Sequence, residues 1–266
     1  MKEIIMSIEQ TKEIMLEKIS GLEQNLRLLR QGVEALKEPE IAQKARNCVY
    51  CKSLAEMSGL LDDGSVKLKV GDRIISHHNR FGNIDWTVIG VGVDGEEVGE
   101  KRPTVTLHMT NVLDDMYLPF DTPNKKYCLG HNAWDTCNLR NWLNKYFLSG
   151  FPEADREAMR LVEKTTYRND DEGDEAYTTQ DKLFLLSAPE LGFTGENIKD
   201  EGAAYPFYEN PENRKKTDSP SGNESCYWVR SPYPWDASHV RFVLPDGSLS
   251  VYGASIGHGV AAACVI

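Results

Sequence analysis

The sequence predicts an α+β fold, and three observations carry that prediction. A strict heptad pattern occupies residues 5 to 36, strand-like segments dominate from residue 66 onward, and the amphipathic helical segments between those strands are grouped in mid-chain. Strands, then helices, then strands again is the order expected when helices segregate to one side of antiparallel sheets.

In the first element, Ile5, Ile8, Lys12, Met15, Ile19, Leu22, Leu26, Leu29, Val33 and Leu36 follow one another in alternating steps of three and four. Ile5, Lys12, Ile19, Leu26 and Val33 take the a positions and Ile8, Met15, Leu22, Leu29 and Leu36 the d positions. Mainly β-branched residues at a with mainly Leu at d favour a parallel dimer over a trimer. Lys18 at g can meet Glu23 at e of a partner helix, a pair worth a few tenths of a kcal/mol. Gly21 and Gly32 each weaken the helix by about 1 kcal/mol. Residues 1–38 are therefore read as a coiled-coil oligomerisation helix that self-associates through residues 5–36. The competing reading is an amphipathic helix packed on its own chain, for which Leu16 and Leu28 widen the apolar stripe. Pro39, lacking an N–H, ends the helix, and residues 39–65 form a connector with a short second helix.

From Val66 the pattern becomes VKLKVGDRIISHH, DWTVIGVGVDG and TVTLHMTNVL, three strands separated by Gly, Asn and Asp turns. Asp135 or Thr136 is expected to cap a helix whose Leu139, Trp142, Leu143, Tyr146 and Phe147 share one face. A second helix starts at Pro152 and buries Ala158, Met159 and Val162. KLFLLS then reads as a short buried strand and CYWVRSP as another. Pro245-Asp246-Gly247 turns a hairpin, and Val260 to Ile266 reads as a buried last strand. Between these last two, SVYGASIGH fits neither a period of two nor one of 3.6 and is assigned to no regular element.

The 41 acidic against 30 basic residues give a net charge of −11, which excludes a nucleic-acid partner needing a basic face. Glu3, Glu9 and Glu13 interrupt the place of a secretory signal, and no segment has the length of a membrane span, so synthesis in the cytoplasm is expected with no signal peptide and no membrane span. The six cysteines are too few for a disulfide scaffold and favour free thiols.

Several residues have the types, but not the spacing, of a catalytic or metal site. Cys48 and Cys51 stand at zinc-knuckle spacing, yet Cys128 and Cys137 are nine apart and supply no second knuckle. Cys128, His131 and Asp135 offer a thiol, a base and an orienter at the mouth of a helix, but Asp135 as a cap and Cys128 as a small apolar filler is the better reading. His77-His78 and the carboxylates Asp170, Asp171, Glu172, Asp174 and Glu175 lack the spacing of metal loops. No nucleotide fingerprint is present. No cofactor and no metal is predicted.

CYWVRSP, followed by Ala237, Val240-Arg241, Val243, Asp246-Gly247-Ser248-Leu249, Ala254 and GVAAACVI, resembles the variable proteins of diversity-generating retroelements, particularly those of gut phages and bacteria. VGDRI with the DWTVIGV strand, LRNWLN and DKLFLLS extend the resemblance over residues 66–266. It implies a C-type-lectin-like ligand-binding domain preceded by the coiled-coil helix, with a variable region at about 231–259. In that family a reverse transcriptase copies a template repeat with errors at adenines, so that AAC or AAT codons become almost any NNY codon, on an otherwise constant framework. The framework matches are Tyr227, Trp228, Arg230, Ser231, Pro232, Ala237, Val240, Arg241, Val243, Asp246, Gly247, Leu249 and residues 259–266.

The positions left over are the implied ligand-binding residues: Tyr233, Trp235, Asp236, Ser238, His239, Phe242, Leu244, Ser250, Val251, Tyr252, Gly253, Ser255, Gly257 and His258. All but Trp235 can be encoded by NNY. Many members carry Val-Arg-Pro-Ala near the end, whereas this chain has Val260-Ala261-Ala262-Ala263, leaving Arg230 or Arg241 to organise the core. The Glu-Pro-Asn and Trp-Asn-Asp signatures of calcium lectins are missing, so calcium-dependent sugar binding is not implied. The aromatic residues of the set offer stiff amphipathic contacts and Ser, Gly, Asp and His adaptable ones, the mixture of an antibody paratope. The expected function is thus non-enzymatic recognition of a protein or glycan on a target surface, in the form of a receptor-binding protein carried on a phage particle or a cell surface. Two alternatives are an enzyme on the related formylglycine-generating scaffold using cysteine chemistry, and a structural virion protein.

Overall fold

The computed structural model describes residues 53–95, 102–113, 116–168, 175–218 and 222–266, together with Met15, Lys18, Ile19 and Leu26. It divides the chain into Met1–Cys48 and Val49–Ile266. In the first unit Met15, Lys18, Ile19 and Leu26 are helical and exposed. The remainder of the predicted heptad seam, Pro39, Cys48, Cys51 and residues 170–174 of the acidic loop lie outside the described residues.

The second unit is mixed α+β with sheets predominating. Helix α1 (Leu54–Asp62), which lies within the expected connector 39–65, belongs to it. Ser53 caps α1 by accepting from Glu56 N–H, and the buried Asp155 accepts from Ser53 Oγ at 2.6 Å and Ala55 N–H at 2.9 Å. Leu54 and Met57 enter the core from its inner side.

The first sheet has the order β1-β2-β3-β13 and is antiparallel throughout: β1 (Arg73–His78), β2 (Gly82–Val91), β3 (Val105–Met109) and β13 (Ala263–Val265). Trp86, Val88, Ile89, Val105, Leu107, Cys264 and Val265 are buried, which explains why β2, β3 and the last strand read as apolar runs. The second sheet has the order β11-β10-β9-β12-β4: β4 (Tyr117–Pro119), β9 (Tyr227–Pro232), β10 (His239–Val243), β11 (Leu249–Gly253) and β12 (Gly257–Gly259). Its pairs are antiparallel except β12 with β9, which is parallel. Two small hairpins, β5 (Val162–Tyr167) with β6 (Ala176–Asp181) and β7 (Lys216–Thr217) with β8 (Glu224–Ser225), complete the sheet inventory of the described residues.

Four local expectations are corrected. Helix α2 (Asn138–Trp142) is capped by Cys137, whose sulfur accepts from Arg140 N–H, because Asp135 is engaged by Arg168 at 2.6 Å. It continues as a π-helical turn over Leu143–Phe147 and buries Leu139, Leu143 and Phe147, while Tyr146 projects outward. Helix α3 (Glu153–Ala158) stops early, since Val162 already starts the strand β5, VEKTTY, whose buried residues alternate. KLFLLS is a buried extended segment joined to β13 only through the Phe184–Ala263 bridge. Finally, SVYG of SVYGASIGH does form a strand, as the edge strand β11, and GHG forms β12. An edge strand half-exposed on both faces need not alternate apolar with polar residues, so its period was invisible.

A buried ionic cluster holds the second sheet to the β5–β6 hairpin. Arg230, fully buried on β9, donates to Glu190 at 2.5 Å, to Leu185 O at 2.8 Å and to Glu201 O at 2.7 Å. Glu190 also meets Lys164 at 3.1 Å, and Lys164 reaches Asp94 at 2.6 Å. Burial alone would raise Glu190, but Arg230 and Lys164 outweigh it and hold the carboxyl at about 2. For Glu201, burial wins over Arg230 and raises the carboxyl above its usual range. Of the two arginines left to organise the core, Arg230 does so, and Arg241 instead ties β10 to Asn197 O at 2.6 Å.

Candidate functional site

The fourteenfold leftover set of the C-terminal region falls on the second sheet and on the loops that join its strands. Hairpin β10–β11 turns at Gly247, whose φ of 84° a side chain would resist, and Leu244 N–H donates to Ser248 O at 2.8 Å to close it. The register places Val240 opposite Tyr252, Arg241 opposite Val251, Phe242 opposite Ser250 and His239 opposite Gly253.

Directly opposed residues share a face. Ser250 and Tyr252 therefore stand with Val240 and Phe242 on one face, and Val251 and Gly253 stand with Arg241 and His239 on the other. On the first face His258 of β12 stacks on Phe242 at 4.1 Å between ring centres, meets Trp228 edge-on at 4.4 Å and lies 6.2 Å from the Tyr252 ring. Tyr252 is 52% exposed there. Cys226 approaches His258 Nδ1 at 3.1 Å. Burial pushes the His258 imidazole down to about 4 and the Cys226 thiol up, so this pair is neutral near pH 7.

Beside the second face lies the loop from Tyr233 to Ser238. Trp235, 69% exposed, meets Tyr233 edge-on at 5.6 Å, and Arg241 lies 5.7 Å from the Tyr233 ring centre. Asp236 accepts from Ser238 N–H at 2.8 Å and pairs with His239 at 3.0 Å. The backbone hydrogen bond from Ser238 holds the Asp236 carboxyl below its usual range. One wholly buried side chain fixes this loop: Asn132 donates its amide to Asp236 O and His239 O, both at 3.0 Å, and to Tyr233 O at 3.4 Å. Asn132 N–H also donates to Ala237 O at 2.8 Å.

The structure thus brings Tyr233, Trp235, Asp236, Ser238, His239, Val251, Tyr252, Ser255, Gly257 and His258 to exposed or half-exposed positions; the loop from Tyr233 to Ser238 joins the end of β11 where Ala254 N–H donates to Ser238 O at 2.8 Å, and His258 stands level with Phe242 and Ser250. Three members depart from an outward-facing set. Phe242 is 5% exposed and belongs to the core with Trp228, because its face of β10 is roofed by His258. Gly253 is buried against Leu129. Leu244 stands at the far end of the hairpin, roughly 17 Å from His239 at strand spacing, and packs against the core. Ser250, half-exposed, lies between the two ends.

Other residues of the surface were missed. Leu129, Ile256 and Tyr117 are exposed apolar side chains next to it: Leu129 O accepts from Ser255 N–H, Ile256 lies in the β11–β12 turn, and Tyr117 pairs with Gly259. No periodic pattern marks such loop residues, and nothing local in GHNAW announces that Asn132 holds a loop a hundred residues later.

The thiol, base and orienter of YCLGHNAWDTC are separated in role. Cys128 is exposed beside Gly130, His131 stacks on Tyr127 at 4.2 Å, and Asp135 pairs with Arg168. His78 is enclosed by Phe81, Phe147 and Phe151. Its Nδ1 accepts from Arg80 and Phe81 N–H and its Nε2 lies 2.9 Å from Phe147 O, leaving no lone pair for a metal. Among the described residues no group of three or more His, Cys, Asp and Glu is placed to hold a metal ion, and no helix is long and apolar enough to cross a membrane. Cys128, Cys137, Cys226 and Cys264 are free.

No curated protein and no solved structure matches the chain. The family described as "Domain of unknown function (DUF6273)" matches residues 107–266, from β3 through the whole of the surface described above, and the chain belongs to that family.

Proposed function

We propose that this protein is a non-enzymatic recognition protein of the diversity-generating-retroelement type, with a C-type-lectin-like domain whose C-terminal surface is diversified and binds a protein or glycan ligand. The helix at residues 5–36 gathers copies so that modest single-site affinity becomes avidity for a repeated target, as on a phage particle or a cell surface.

One observation carries the reading. Most framework positions implied by the resemblance are buried, among them Tyr227, Trp228, Arg230, Ser231, Val240, Arg241, Val243, Gly247 and all of residues 259–266, with Asp246 exposed and Ala237 and Leu249 half-exposed, whereas the leftover positions are exposed or half-exposed apart from Phe242 and Gly253. A division implied by the resemblance thus follows burial at most positions, which supports the reading. Burial is what makes a position intolerant of random replacement, and exposure is what frees it.

The experiment is to replace Trp235, Asp236, Ser238, Ser250, Val251, Tyr252, Ser255 and His258 together by pooled NNY codons and to measure the fraction of clones that stay protease-resistant. Most clones are expected to fold, against few in a matched pool at Tyr227, Val229, Val240 and Val243. Equal losses in both pools overturn the reading.

The cysteine-enzyme alternative draws on one contact, Cys226 with His258. Its neutral protonation state argues against a thiolate nucleophile. Unchanged ligand binding with no turnover in Cys128→Ser, Cys226→Ser and Cys264→Ser excludes that alternative.

A further inference from the structure

Strand β11 is an edge of the second sheet, and its outer side is open. Leu244 N–H donates to Ser248 O at one end of the hairpin and Ala254 N–H to Ser238 O at the other. In an antiparallel ladder bonded and non-bonded pairs alternate, so residues 248, 250, 252 and 254 direct their backbone groups at β10. The N–H and C=O of Leu249 and Val251 then point away from the sheet, and no hydrogen bond from another described residue reaches them. Gly253 N–H points the same way, while its carbonyl accepts from Ile256.

Edges left like this template pairing with another chain, and proteins blunt them with charge, proline, bulges or brevity. Among the described residues the other edges of the two larger sheets are treated so. Strand β4 is three residues long and contains Pro119, β1 carries Arg73 and His77, and β13 is bridged by Phe184. Leu-Ser-Val-Tyr-Gly of β11 has no charge and no proline, and its register with β10 is unbroken. An unguarded edge beside the predicted ligand residues is a docking rail.

We infer that the ligand is engaged as an extended polypeptide segment that adds a further strand to the outer side of β11. This rests on the reading of the C-terminal surface as the ligand site and narrows that ligand from protein or glycan to polypeptide backbone. The geometry also accounts for a feature that a flat paratope does not explain. Leftover residues occupy both faces of β11, with Ser250 and Tyr252 on one and Val251 on the other. A strand added at the edge presents its own alternating side chains to both faces, so both can select for sequence while the unchanging backbone of β11 supplies affinity. Diversification then alters which strand is accepted without altering how it is held. Trp235 and Tyr252, large and exposed, flank the rail as side-chain readers.

The test uses the full-length protein and a displayed library of random linear peptides. Selected peptides are resynthesised with single backbone N-methyl groups and titrated against the wild type, Val251→Pro, Tyr252→Ala and Trp235→Ala. The expected result is alternation: methylation at every second residue weakens binding roughly tenfold, the value of one backbone hydrogen bond, and methylation between them has little effect. Val251→Pro, which removes an outward donor but no bond to β10, is expected to weaken binding to a similar degree. The methyl scan needs no variant of the protein, so it decides the matter even if Val251→Pro misfolds. Methyl sensitivity without alternation, failure to select any peptide, or self-association that Val251→Pro abolishes overturns the inference. If alternation is absent but Tyr252→Ala and Trp235→Ala still weaken binding, the docking mode fails and the site stands. If those two variants also bind normally, the site itself is misassigned.

Discussion

Arg230 is charged, wholly buried and paired with Glu190, so removing either partner leaves the other uncompensated where water cannot reach. Arg230→Met is expected to destabilise the fold by about 3–5 kcal/mol in urea titrations, more than truncating the exposed Trp235 or Tyr252, each of which should cost about 0.5 kcal/mol or less. Lys216 makes a different kind of demand. Its ammonium position is fully enclosed, donating to Met109 O and, at 3.4 Å, to Thr110 O, and burial holds the amine down at about 7. The unfolded chain keeps its proton up to about 10.5, so between pH 7 and 10 it binds a proton that the folded chain does not. Stability contributed by this group therefore rises with pH across that window, by about 1.4 kcal/mol per unit, and is flat below it. Lys216→Met should remove that slope from a series of denaturation curves between pH 7 and 10. A slope unchanged in the variant would show that the amine stays protonated in the folded state.

At the scale of elements, hydrogen bonds from a single side chain divide the surface into a held part and a free part. Asn132 clamps the Tyr233–His239 loop through carbonyls, whose position is indifferent to the side chains the loop carries. Asn132→Ala is expected to raise amide exchange over residues 233–239 and to weaken ligand binding, with exchange in β2 and β3 unchanged; protection that stays the same across that loop would contradict the clamp. This also explains what was legible in the sequence. Strands β2, β3 and β9 and the last strand were readable because they are buried and apolar, and the hairpin because Pro-Asp-Gly dictates its turn. Strand β11 was not, because at an open edge neither face imposes a period. The β5–β6 hairpin is hidden in the sequence although Val162, Lys164 and Thr166 alternate inward, since an inward Lys, satisfied here by Asp94 and Glu190, does not resemble a core residue. Phe242 shows the opposite failure: absence from the framework implied by the resemblance puts it with the variable residues, while its packing under His258 places it with the core.

In the whole molecule, as proposed, labour is divided between an oligomerising segment and a recognition domain that folds around its own core. Deleting residues 1–40 is expected to leave the thermal midpoint of the remaining domain within a few degrees while converting a dimer to a monomer in sedimentation equilibrium. A truncated protein that still dimerises would move the association surface into the domain. In the proposed function the segment from Ser231 to Gly259 is written by adenine-directed copying onto an invariant frame, and the flanking DNA decides whether it is. Sequencing the region around the gene should reveal a near-copy of this segment beside a reverse-transcriptase gene, differing from it only where the copy has adenine and mainly at the codons for exposed residues. A near-copy with mismatches spread over all four bases, or differences concentrated at codons for Tyr227, Arg230 and Val240, would contradict it.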